Sequence, residues 1–145
     1  MNADAVDGYH ANELVRFAGA HEDNDALVGV SGVAATVDIT APRGGYLVIS
    51  ASSDVYNTIG LDRLFCEIEV DGSLIVSSER SIEVSDSTNN GEEDCSTDAY
   101  YTTADGGDFT VDFIFGGVSA DTTVDETVLN VIYIASLISS GPPPF

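Results

Sequence analysis

Lysine and tryptophan are missing from this 145-residue sequence, and its only basic side chains are Arg16, Arg43, Arg63 and Arg80. Against these stand 25 acidic residues, for a net charge of −21. Contact with a phosphate backbone needs clustered Lys and Arg, so no nucleic-acid partner is expected. The same deficit argues against anionic lipid surfaces. No apolar run approaches the roughly 20 residues that span a bilayer, so no membrane insertion is expected either. Cysteine is scarce: Cys66 and Cys95 stand alone, without a CxxC motif, which speaks against a thiolate metal site. Gly-x-Ser-x-Gly is absent. The two histidines, His10 and His21, have no nucleophile motif beside them. Paired carboxylates suit glycoside hydrolysis, but among so many acids some pairs are inevitable. The expectation is a protein that is not an enzyme, with no catalytic residues and no required cofactor.

What is present suits one folded domain. At 43% hydrophobic the chain is not disordered by composition, and its length can bury a core without staples. Its one-signed charge opposes compaction in dilute buffer. At about 1 M salt the Debye length falls to roughly 3 Å and the repulsion fades. A halophilic setting is the expectation; the alternative is an acidic secreted or virion protein. Met1-Asn2-Ala3-Asp4 lacks the charged and apolar regions of a signal peptide. Either export is not used or a leader has been removed. Cys66 and Cys95 enclose 28 residues. They are either a bridge or two unrelated thiols. A bridge is expected, because Cys95 is read in a polar loop where a free thiol has no packing role.

Along the chain, residues 1–25 read as an N-terminal tag and linker. Asp7-Gly8 marks a tight turn. Asn12 can cap a short helix that carries Leu14, Val15 and Phe17 inward and ends at Gly19, with a polar linker from Ala20 to Asp25. Residues 26–140 read as strand after strand. Leu64, Cys66, Ile68 and Val70 share one face while Glu67 and Glu69 lie on the other, and Asp71-Gly72 signals a hairpin. Residues 85–97 read as a long polar loop. Phe109, Val111, Phe113 and Phe115 alternate inward. Thr127 to Ala135 is apolar on both faces, so one face meets the core and the other something else, as at a subunit interface. Residues 141–145 form a Pro-rich tail. Roughly seven to nine short strands and no long helix predict an all-β, antiparallel β-sandwich of jelly-roll type with a short N-terminal helical or extended tag.

Ala3-Asp4-Ala5-Val6-Asp7-Gly8-Tyr9-His10-Ala11-Asn12-Glu13-Leu14 resembles the Asp-Gly-x-His-Ala tag of phage tail-fibre and virion-surface proteins, also carried by bacterial and archaeal surface proteins. Most of the rest is similar to jelly-roll modules of the complement and tumour-necrosis-factor type. The matching pieces include Gly45-Tyr46-Leu47-Val48-Ile49-Ser50-Ala51, Val70-Asp71-Gly72, and Leu129-Asn130-Val131-Ile132-Tyr133-Ile134. Thr103-Ala104-Asp105-Gly106-Gly107-Asp108 departs from the Ala-Gly-Thr-His turn expected there. The resemblance implies a homotrimer with a role in adhesion or particle architecture, and Asp7, Gly8, Tyr9, His10 and Leu14 as the particle-attachment tag. It implies no catalytic residues.

Among ligands, calcium fits best. Asp86, Asn89 and Glu92 lie in a stretch that starts like an EF-hand loop, but its twelfth position is Thr97 rather than Glu, and a solvated acidic loop is the plainer reading. Tyr100 and Tyr101 are read as strand residues, one in and one out, with sugar stacking as the sharper alternative. Phe145 is either an anchor on a neighbouring subunit or, in the plainer reading, part of a frayed tail. The reading is a structural virion surface protein, a fibre or capsid-decoration or turret component. Its partners are other virion structural proteins and a host-surface glycan or glycoprotein. The alternatives are a cellular surface adhesion or matrix module of a halophilic or marine microbe and, third, an enzyme acting on polysaccharide.

Overall fold

The computed structural model describes residues 5–6, 9–23, 25–85 and 92–136. In chain order its elements are β1 (Ala5–Val6), β2 (Tyr9–His10), α1 (Ala11–Leu14), β3 (Val15–Glu22), β4 (Leu27–Val28), β5 (Gly32–Ala41), β6 (Gly45–Asn57) and β7 (Leu61–Val70). There follow β8 (Ser73–Leu74), a 3₁₀ turn (Val76–Ser78), β9 (Arg80–Ser85), β10 (Glu92–Thr103), β11 (Gly107–Gly116) and β12 (Thr122–Ala135). Every strand pairing among the described residues is antiparallel.

Two sheets form a sandwich. One has the order β10-β6-β12-β3, with β4 also on β12; the other runs β5-β11-β7, with β8 and β9 both on β7. The strands pair in a nested way: β3 with β12, β5 with β11, β6 with β10, and β7 with β9. A long antiparallel ribbon rolled up on itself has this nesting, and the chain is a jelly roll.

Alternation fills the core. Leu47, Ile49 and Val55 on β6 and Leu129, Val131 and Tyr133 on β12 point inward from the first sheet. They meet Leu64, Ile68 and Val70 on β7 and Val111, Phe113 and Phe115 on β11. Phe113 and Phe115 pack edge to face at 5.1 Å, a favoured aromatic geometry. The β7–β8 hairpin turns on Asp71 (φ 50°) and Gly72 (φ 78°), the paired left-handed conformation that an Asp-Gly turn supplies.

Two segments differ from the sequence expectation. Residues 15–22 are a strand rather than the body of a helix and a linker: only Ala11–Leu14 makes a helical turn, and β3 then pairs with β12 along its length. The sandwich therefore begins at Val15 instead of Ala26. A one-turn helix is marginal in water, whereas β12 offers a row of backbone groups that β3 satisfies. Val15 and Phe17, expected to point inward, face outward; of the three, Leu14 alone is half-buried. Finally, Glu92–Thr97 is not loop but the start of β10. Cys95 is accordingly buried rather than in a polar loop. Its sulfur is bonded to Cys66 (S–S 2.01 Å), joining β10 of one sheet to β7 of the other.

Candidate interaction surface

The outer faces of the two sheets differ in where they carry acidic and apolar side chains. On the second sheet, three successive cross-strand pairs of β5 and β11 alternate Thr with Asp. The hydroxyl of Thr40 donates to Asp108 (2.7 Å), that of Thr110 to Asp38 (2.8 Å) and that of Thr36 to Asp112 (2.7 Å). The alternation keeps two carboxylates from facing each other directly, and each carboxylate accepts a charge-assisted bond. Beside this ladder, Arg63 donates to Glu83 at 2.9 Å, both exposed. This stretch of the face is polar and acidic.

The first sheet carries apolar side chains outward over half its length. Register fixes which ones share the face. One cross-sheet row runs Tyr100, Val48, Ile132, Phe17 over β10, β6, β12 and β3; the next runs Thr102, Tyr46, Ile134, Val15. Tyr100 is 74% exposed and Phe17 67%, with Val15, Tyr46, Ile132 and Ile134 also open. None of these eight positions is charged. A polar band of Ser50, Ser52, Ser96, Asp98 and Asn130 borders the patch, lining a shallow open groove of about 240 Å³.

Beyond that band the same face turns acidic. Asp54 on β6 stands between Asp94 of β10 and Asp125 of β12 in direct cross-strand register. A bulge between Asp125 and Val128 puts Glu126 at φ 40° and brings it near as well. The hydrogen bond to Asp94 raises the Asp54 pKa to about 6, helped by partial desolvation and by the charges of Asp94 and Glu126. Two carboxylates sharing one proton account for the direction. Asp54, Glu92, Glu93 and Asp94 line an open acidic hollow of about 280 Å³.

The calcium candidates are only partly placed. Asp86 and Asn89 lie outside the described residues; Glu92 opens β10 at the acidic hollow. Among the described residues no three His, Cys, Asp or Glu side chains form a group suited to a metal ion. Of the tag, Asp7 and Gly8 lie outside the described residues. The backbone of Tyr9 and His10 pairs with Ala5–Val6, and the His10 N–H donates to Glu13 Oε2 (2.8 Å) to close the first helical turn. His21 sits at the end of β3, 3.1 Å from Asp23, with both side chains exposed. Tyr101 packs edge to face on Phe109 at 5.7 Å. Phe145 lies outside the described residues. A second open hollow, about 480 Å³, is lined by Glu13 of α1, Arg43, Tyr46, Thr102 and Ser136, so the helical turn and the exit from β12 share one end of the sandwich with the apolar rows.

Sequence reasoning missed the patch on β3, because Val15 and Phe17 were placed in a helix. Val15-Arg16-Phe17-Ala18-Gly19-Ala20 carries no clean apolar–polar alternation, so the sequence held no local signal that Val15 and Phe17 face outward.

No family model matches the sequence, and no curated protein matches it closely. The fold does have solved counterparts. VP2 in the subviral particle of infectious bursal disease virus aligns over 92% of this chain, with a TM-score of 0.51 and 13% identity. The viral particle of the same virus gives a TM-score of 0.50 at 12% identity, again over 92% of the chain. A latent PorU dimer from Porphyromonas gingivalis aligns over 88%, with a TM-score of 0.48 and 11% identity. The chain spans 36% of the VP2 chain, 34% of the particle chain and 13% of PorU. At such identities the likeness is one of fold.

Proposed function

We propose that this chain is a non-enzymatic structural protein of a virus particle. It is displayed at the particle surface as a fibre, turret or capsid-decoration component, assembled as a homotrimer among other virion structural proteins. The observation that carries the reading is the jelly roll itself, which over 92% of the chain is similar in fold to a 36% share of VP2 from the subviral particle of infectious bursal disease virus. The Asp-Gly-Tyr-His-Ala tag ahead of β3 supports attachment through the N-terminal end. A disulfide across the sandwich suits a protein that works outside a reducing cytosol. The acidic Thr–Asp ladder suits the side turned to solvent.

Immunogold electron microscopy on purified particles, with antibody to residues 26–145, tests the proposal. Label on a fibre, vertex or capsid surface is expected. Unlabelled particles sink it, and label confined to cell envelopes would favour a surface adhesion or matrix module.

A further inference from the structure

We infer that the apolar rows on the outer face of the β10-β6-β12-β3 sheet are where a second copy of this chain docks. Charge points to the occupant. The chain carries −21, and its other outer face is studded with aspartates. A basic partner would be recognised by such acids. A partner equally acidic can approach only where acids have been cleared, and the two rows from Tyr100 to Phe17 and from Thr102 to Val15 hold none. Their composition, with two tyrosines, a phenylalanine and aliphatics but no charge, is that of an interface centre.

Area agrees. Counting about 150–250 Å² for a whole aromatic side chain and scaling by exposure, the patch offers on the order of 600 Å². A standard interface takes roughly 800 Å² from each partner, so the polar band at the border supplies the remainder as a rim. The carboxylate row of Asp94, Asp54 and Asp125 lies beyond that band, at the far end of the sheet. Copies meeting over the apolar end keep these rows apart.

This names the self-contact surface of the particle protein proposed above and rests on that reading for the trimer, but not for the contact. The test is light scattering on the full chain at about 2 M salt, where the Debye length is below roughly 3 Å and repulsion between copies is screened. Phe17→Glu and Tyr100→Glu each put a carboxylate into the patch, at side chains open enough to leave the core untouched. Ser73→Glu on the other sheet is the control, and circular dichroism checks folding. The wild type and Ser73→Glu are expected at a multiple of 15.1 kDa, three for the proposed trimer, with at least one patch variant falling to the monomer mass. A monomeric wild type, or an oligomer that survives both patch variants, overturns the inference. Particle labelling reads the other proposal separately: a particle-bound chain with no patch-dependent oligomer sinks this inference alone, and a patch-dependent oligomer absent from particles sinks only the particle role.

Discussion

Asp54 shows how a crowded acidic surface costs stability at neutral pH. Its folded pKa of about 6 stands above the ordinary 3.8 because Asp94 holds a shared proton against it. A group raised in this way adds stability fully below 3.8 and loses it as pH rises through 6. This site therefore makes the fold more stable on acidification across that window, opposite in sign to a salt-bridged carboxylate. Asp54→Asn should raise the melting temperature at neutral pH in low salt and flatten the gain on acidification, read by thermal melts at several pH values. Ser78 is the other telling residue. Fully buried, its hydroxyl accepts from the Ile68 N–H (2.8 Å) and donates to the Ile75 carbonyl (2.6 Å), while Thr97 donates to its carbonyl (2.5 Å). Ser78→Ala strands the Ile68 N–H without water, so urea unfolding should show a loss of about 1–3 kcal/mol.

Among the elements, those with clean two-residue alternation were legible in the sequence. The inward faces of β7 and β11 follow from their side chains alone, and Asp71-Gly72 announced its turn. β3 was not legible as a strand because Ala11–Leu14 do form a helical turn, capped by His10 rather than by Asn12; what ends it after one turn is β12, about a hundred residues away. Tertiary pairing outweighs a weak local preference. The start of β10 was hidden for a related reason. Glu92 to Thr97 is polar on its outer side, so the run reads as loop until β6 and the buried Cys95 supply its other face. The apolar outer face of β12 was readable as facing something beyond the core, but the patch needed the registers of four strands to assemble. The disulfide joins β7 to β10 across 29 positions. Replacing both cysteines by alanine should cost about 3.5 kcal/mol by loop-closure entropy, seen as a lower urea midpoint with a steeper slope, because the uncrosslinked denatured chain exposes more surface.

For the whole molecule, charge sets the working conditions. With −21 on a 145-residue chain and only four cations, folding gathers like charges with few partners. Melting temperature should climb steadily between about 0.1 M and 2 M sodium chloride as screening takes hold, and a flat response would remove the case for a saline habitat. The nested pairing has a consequence in time as well as space. β12 bonds to β3 on one side and to β6 on the other, so the first sheet has no centre until Ala135 has been synthesised. A nascent chain cannot present its apolar rows in register before then. Contacts between sequence-distant strands also make folding slow, on the order of milliseconds to seconds. A truncated product lacks the strand that sets the register of those rows, so under the self-docking inferred above it would be left out of assembly.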